Sequence, residues 1–182
     1  MPTILTHALL PLIAARAMGK GRISTRLMMA GMAAAMIPDA DVIGLRFGIP
    51  YGAELGHRGA SHSLLFAALL GFMAMLAART LRTTPGRAFI FVALSSAFHG
   101  LTDMLTNGGR GVGLWWPLSD NRLFWPVRPV EVSSIGLSAL TDGSMAGVLL
   151  SELIWLLLPA AFLALLYRRT VHPHIDLAQG QS

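Results

Sequence analysis

The sequence predicts an all-α membrane protein, a helical bundle with about five membrane segments, from three observations. Of 182 residues, 54% are hydrophobic and only 13% charged, whereas soluble domains sit at about 45–50% apolar and about 25% charged. The apolar residues gather into five runs, roughly Ile4–Met18, Leu27–Ile43, Ser63–Ala78, Ala88–Thr106 and Met145–Tyr167. Nine of the 14 basic residues fall on one side of a membrane if all five runs cross it.

A spanning helix needs about 20 residues, with about 17 tolerated. The fourth and fifth runs meet that length. The first two are short or carry Asp39 and Asp41 at one end, which leaves them as full spans or as tilted or re-entrant segments. No basic stretch precedes the first run, so a cleaved signal peptide is not expected. Arg16, Lys20, Arg22 and Arg26 follow the first run, Arg79, Arg82 and Arg87 the third, and Arg168 and Arg169 the fifth. Positively charged loops stay in the cytoplasm, which places the N-terminus outside. The net charge of +5 therefore reads as topology control and not as a nucleic-acid surface. Residues 1–170 read as a single membrane-embedded domain, 107–143 as an outer interfacial loop or lid, and 171–182 as a cytoplasmic tail.

The same parity gathers the ionisable residues. The outer face receives His7, then Asp39 and Asp41, then His57 and His62, then His99 and Asp103, then Glu152. Eight of nine acidic residues lie on the outer side, and Asp176 is the exception. The chain has no cysteine, so a metal would be held by His, Asp and Glu.

Each motif has a plain alternative. His99 and Asp103, four apart in "FHGLTD", share a helix face and suit one ion; a His on a backbone carbonyl beside an interfacial Asp is the competing reading. "IPDADV" sets two carboxylates after a proline that ends or kinks a helix, which suits a cation or an Asp-rich turn. "HRGASHS" offers His57 and His62 around Arg58, whose planar guanidinium matches a phosphate. Ser61 and Ser63 read as helix caps. Glu152 is a further ligand, a general base or an arginine partner. Together these residues supply one ion or two, and a pair would clamp a phosphoryl group and activate water.

The outer stretch "GLWWPLSDNRLFWPVRP" carries three of the four tryptophans. Tryptophan favours the headgroup level of a bilayer, so this stretch reads as an interfacial loop, or as a lid that meets a headgroup through Arg122 or Arg128. His172 and His174 sit in the tail, away from the constellation, and the ten methionines read as helix packing.

The ordered set "THALL", "PDADV", "HRGASHSLLF", "FHGLTDMLTNGG" and "LWWPLSDNRLFWP", running roughly from His7 to Pro126, resembles the LexA-regulated bacterial inner-membrane family described as metal-dependent hydrolases. That family is distantly similar to zinc-dependent phospholipase C and the P1-type nucleases. The resemblance implies metal-ligand roles for His7, Asp39, His57, His62, His99 and Asp103. It implies a ligand or base role for Asp41 and a phosphate contact for Arg58. The N-terminal tryptophan of the phospholipase C enzymes has no counterpart here, where Met1 and Pro2 stand.

The sequence thus predicts a phosphoester hydrolase at the periplasmic face of the inner membrane. It would use two or more divalent ions, zinc or alternatively manganese, with metal roles for His7, Asp39, Asp41, His57, His62, His99 and Asp103 and catalytic roles for Asp41, Arg58 and Glu152. Its expected partners are membrane lipids and a lipid or lipid-linked phosphate substrate, with no nucleic acid; the sequence does not fix the oligomeric state. One rival is a metal or proton transporter, although the inner halves of the spans carry no His, Asp or Glu. Another is a non-catalytic membrane-stress protein whose polar cluster serves only structure.

Overall fold

The computed structural model describes residues 1–19, 21–132 and 145–171. It is helical, with no strand among the described residues beyond two isolated bridges, Thr106 with Val130 and Val112 with Leu123. α1 spans Ile4–Ala17, α2 Thr25–Met36, α3 Ile43–Arg46, α4 Leu64–Leu76, α5 Pro85–Asp103, α6 Met145–Glu152 and α7 Leu158–Val171.

Sequence explains the helix starts. Thr3, Ser24 and Ser63 cap α1, α2 and α4, each side chain accepting from a backbone N–H three residues on, and Pro85 opens α5. Ser63 is thus the cap expected of it, while Ser61 has another partner described below.

The second run differs from its expected form. The α-helix ends at Met36, just before Pro38, but the helical path goes on: the chain passes into a 3₁₀ segment, Ile37–Val42, with the proline in its first turn, and then into α3. A proline lacks an N–H, and the start of a helical segment needs none there. The continuous stretch Thr25–Arg46 is therefore 22 residues long and apolar enough to cross a membrane, as is Met145–Val171 with 27. These are the two described helices that combine length with apolarity. α5 has 19 residues, but Ser95, Ser96, His99, Thr102 and Asp103 dilute its apolar character. α1 has 14 residues and α4 has 13, or about 20 Å each against a hydrocarbon core of about 30 Å.

α5 lies at the centre, packed against α4 and α2, while α1 packs against α2 and α7. The core where they meet is built largely of small residues: Ala15, Ala34, Ala74, Ala78 and Ala88 beside Leu27, Phe91 and Val92. Small residues let helices approach closely, the packing mode of helices in lipid. Gly31 shows how close: a Cβ there would collide with the Phe91 ring. Large apolar side chains instead face outward, among them Leu69, Phe72 and Met73 on α4, Leu94 and Phe98 on α5, and Phe162 and Leu163 on α7. Apolar exposure on this scale suits contact with lipid chains.

Between α5 and α6, residues 107–132 form an irregular segment closed down on the loop after α3. Gly113 N donates to Arg58 O at 2.8 Å, and Leu64 N to Leu114 O at 3.0 Å. Arg122 donates to His57 O at 2.9 Å and to Ala53 O at 2.7 Å. Arg128 lies over the Phe124 ring, 4.7 Å from its centroid. Arg122 thus ties the segment to the 53–57 loop, and Arg128 packs within the segment. The remainder of the expected lid, 133–143, and the tail with His172 and His174 lie outside the described residues.

Candidate metal centre

Four elements deliver the ionisable residues to one end of the bundle. α1 brings His7 in its first turn, the 3₁₀ continuation of α2 brings Asp39 and Asp41, the short 3₁₀ turn Ala60–His62 brings His62, and the last turn of α5 brings His99 and Asp103. His57 and Arg58 lie in the loop before that turn. Except for Asp41, which is partly exposed, all are between 0 and 4% exposed.

Asp39, His62, His99 and Asp103 form a group that could hold one ion. His62 Nε2 and His99 Nε2 are 3.0 Å apart. Asp39 Oδ1 is 3.4 Å from His99 Nε2 and 3.7 Å from His62 Nε2. Asp103 Oδ2 is 3.4 Å from His62 Nε2 and 3.9 Å from His99 Nε2. Ligand atoms about 2.0–2.2 Å from a tetrahedral zinc lie about 3.3–3.6 Å apart, and these separations scatter around that range.

The hydrogen bonding fits the same ion. All four carboxylate oxygens of Asp39 and Asp103 are buried without a hydrogen-bond partner. Burying unpaired carboxylates is costly, and a coordinated cation offsets that cost. His99 Nδ1 is 2.7 Å from Ala35 O, so it carries the proton and donates it, leaving the Nε2 lone pair toward the carboxylates.

Asp41 differs from Asp39. Its Oδ1 is 2.5 Å from His57 Nδ1, and its Oδ2 accepts from Ser61 Oγ at 2.5 Å and from Arg58 N at 3.2 Å. It also faces His62 Nδ1 at 3.2 Å. Asp41, His57 and His62 form a second group with metal-ligand spacing, but Asp41 is already saturated by donors. Burial pulls the His62 pKa down, but the facing carboxylates of Asp103, Asp39 and Asp41 outweigh it and raise the value to about 10.

His7 stacks on His99, ring centroids 3.8 Å apart, with its Nε2 3.5 Å from Asp103 Oδ1. Neither of those two atoms has a hydrogen bond. Arg58 is completely buried and holds a left-handed backbone, φ 64°, a conformation that costs a side-chain-bearing residue about 1–2 kcal/mol. Its Nε lies 3.1 Å from Asp103 Oδ2, Nη1 donates to Gly108 O at 3.0 Å, and Nη2 is unpartnered. Gly109, φ +85°, is needed beside it: a Cβ there would sit 2.8 Å from Arg58 Nη1.

Glu152 reaches the same end of the bundle but serves α1. It accepts from Thr3 N at 2.5 Å, Thr3 Oγ1 at 2.7 Å and Thr6 Oγ1 at 2.6 Å. A carboxylate at a helix N-terminus is favoured by the free N–H groups and the helix dipole. Sequence reading missed the contributions of four residues. Ser61 holds Asp41, Tyr51 sets its ring edge-on to His57 at 5.0 Å, and Thr3 with Thr6 anchors Glu152. Only Ser61 carried a signal, by sitting within the histidine motif.

Among known proteins, the model of the YdjM inner membrane protein family matches residues 1–175. Inner membrane protein YbcI of Escherichia coli (strain K12) is 41% identical over 164 residues, which is 90% of this chain and 95% of that protein. No solved structure matches. Both descriptions say inner membrane and neither names a reaction. With nearly its whole length matched, the chain belongs to the YdjM inner membrane protein family.

Proposed function

We propose that this chain is a metal-dependent hydrolase of the bacterial inner membrane that cleaves a phosphoester of a lipid or lipid-linked substrate at the periplasmic face. One observation carries the reading: Asp39, His62, His99 and Asp103 converge within ligand reach of a single ion, and their four buried carboxylate oxygens lack a hydrogen-bond partner. Zinc suits this nitrogen and oxygen set, with manganese the alternative. When bound, such an ion supplies Lewis acidity and a nucleophile at neutral pH.

The chain's own residues divide the remaining work. Asp41 orients His62 and His57 from behind, as carboxylates do for metal-bound histidines. Arg58 keeps Nη2 for a phosphoryl oxygen while Asp103 fixes its Nε. Asp41, His57 and His62 form the second group with metal-ligand spacing, and a second ion there would give the two-ion site such chemistry often uses. Because the cluster is buried, substrate reaches it when the outer segment 107–132 lifts from Arg58 and His57.

All five helical segments crossing the membrane, with their arginine-rich ends in the cytoplasm, would put this cluster at the outer surface. That location favours a lipid-borne phosphate. The transporter reading fares worse, since the other end of the bundle core is Ala15, Leu27, Ala78 and Ala88 with no ionisable residue among them. The test is a panel of phospholipids and polyprenyl phosphates in mixed micelles with zinc or manganese. Metal-dependent release of headgroup or phosphate, abolished in Asp39→Asn, is expected; a folded, metal-loaded protein that releases neither would sink the hydrolase reading.

A further inference from the structure

The opposite end of the bundle holds a second feature, independent of the hydrolase reading. A cavity of about 380 Å³ opens where the end of α1, the following turn, the start of α2 and the end of α7 meet. Arg16 and Arg168 line it from α1 and α7, Gly19 and Gly21 from the turn, and Ile23 and Met28 form an apolar floor. Both arginine side chains are exposed, and neither has an ion pair or hydrogen bond among the described residues. Two other arginines toward this end are engaged: Arg26 donates to Thr80 O at 2.9 Å and Arg87 to Arg22 O at 3.0 Å. Among the described residues no carboxylate lines this cavity.

We propose that this cavity binds the phosphate of an anionic phospholipid of the inner leaflet, clamped between Arg16 and Arg168. Two cations converging on a polar hollow fit a phosphate, and the N-terminus of the 12-residue α2 adds its positive dipole end. The α7 surface that leads to the cavity favours a lipid over a soluble anion. Leu158, Phe162 and Leu165 are exposed there, spaced along one stripe of α7 with Leu165 one turn before Arg168, and give acyl chains a path along the helix while the headgroup enters the cavity. The apolar floor from Ile23 and Met28 suits the glycerol and first methylenes.

Native mass spectrometry of the full chain in detergent tests this, with phosphatidylglycerol and phosphatidylcholine titrated in turn. The expected result is preferential retention of one phosphatidylglycerol, weakened roughly thirtyfold in Arg16→Gln/Arg168→Gln and unchanged in Arg79→Gln, whose exposed side chain lies away from the cavity. Circular dichroism and melting of the double variant confirm that it folds, and the single variants give intermediate loss. Equal retention of the two lipids would overturn the proposal, as would a double variant that binds like the parent. Competition by millimolar inorganic phosphate that matches the lipid's own affinity would make this a soluble-anion site and overturn the lipid assignment.

Discussion

His62 Nε2 and His99 Nε2 face each other across 3.0 Å, with the buried carboxylate oxygens of Asp39 and Asp103 within 3.9 Å of them. Without an ion, a proton held on His62 by the three carboxylates occupies this gap and hydrogen-bonds to His99. A divalent cation would replace that proton and convert the same four atoms into ligands. The competition between proton and metal gives the first prediction.

The His62 pKa is raised, to about 10, so the proton is present at neutral pH and leaves only well above it. Metal binding must release it. Apparent zinc affinity should therefore rise with pH between 6 and 9, by about tenfold per unit. Calorimetry in two buffers of different ionisation enthalpy should show close to one proton released per ion at this site. A pH-independent affinity with no proton release would place the ion elsewhere.

Asp39 and Asp41 are predicted to behave differently despite their spacing. Asp39→Asn removes a ligand and should abolish stoichiometric metal. Asp41→Asn removes an orienting carboxylate and should weaken metal binding about 10–100-fold without abolishing it. Equilibrium dialysis against zinc separates the two; equal loss in both would make Asp41 a direct ligand.

Sequence made part of this site legible and hid part of it. His99 and Asp103 are four apart on a helix, and that spacing alone places them on one face. Alternation of the apolar runs put His7, Asp39, His57 and His62 at the same end, where the chain indeed brings them together. The distinct duties of Asp39 and Asp41 were not legible, because two residues apart on a 3₁₀ turn, the partners that separate them come from the 57–62 loop. Glu152 was harder still: its donors Thr3 and Thr6 lie 149 and 146 residues away. In the fold, Pro38 suggested a break, but a proline in a first 3₁₀ turn continues the helical path. The modest lengths of α1 and α4 follow from Gly19–Gly21 and from the turn after Leu76, which periodicity does not register.

Arg58 is expected to be a stability determinant of the metal-free protein. Its guanidinium is the cation nearest the buried Asp103, and breaking a buried pair by removing one partner costs about 3–5 kcal/mol. Arg58→Met should lower the melting temperature markedly in chelator and much less with zinc, since the ion would neutralise Asp103. An equal loss in both conditions would mean that Arg58 acts only through packing.

Glu152→Gln should lower stability while leaving metal content unchanged, because Glu152 touches the α1 N-terminus and not the four-residue group. Weakening charge-assisted hydrogen bonds from three donors predicts a loss of about 1–3 kcal/mol. Loss of metal with a normal melting temperature would instead assign Glu152 to the metal site.

Metal content per chain tests the central claim most directly, measured by elemental analysis of tag-free protein in detergent beside His99→Ala. At least one equivalent of zinc or manganese, lost in a variant that remains folded, is the predicted result. A folded parent protein that carries neither metal and takes up neither when it is supplied would contradict the metal centre and leave the buried cluster a purely structural one.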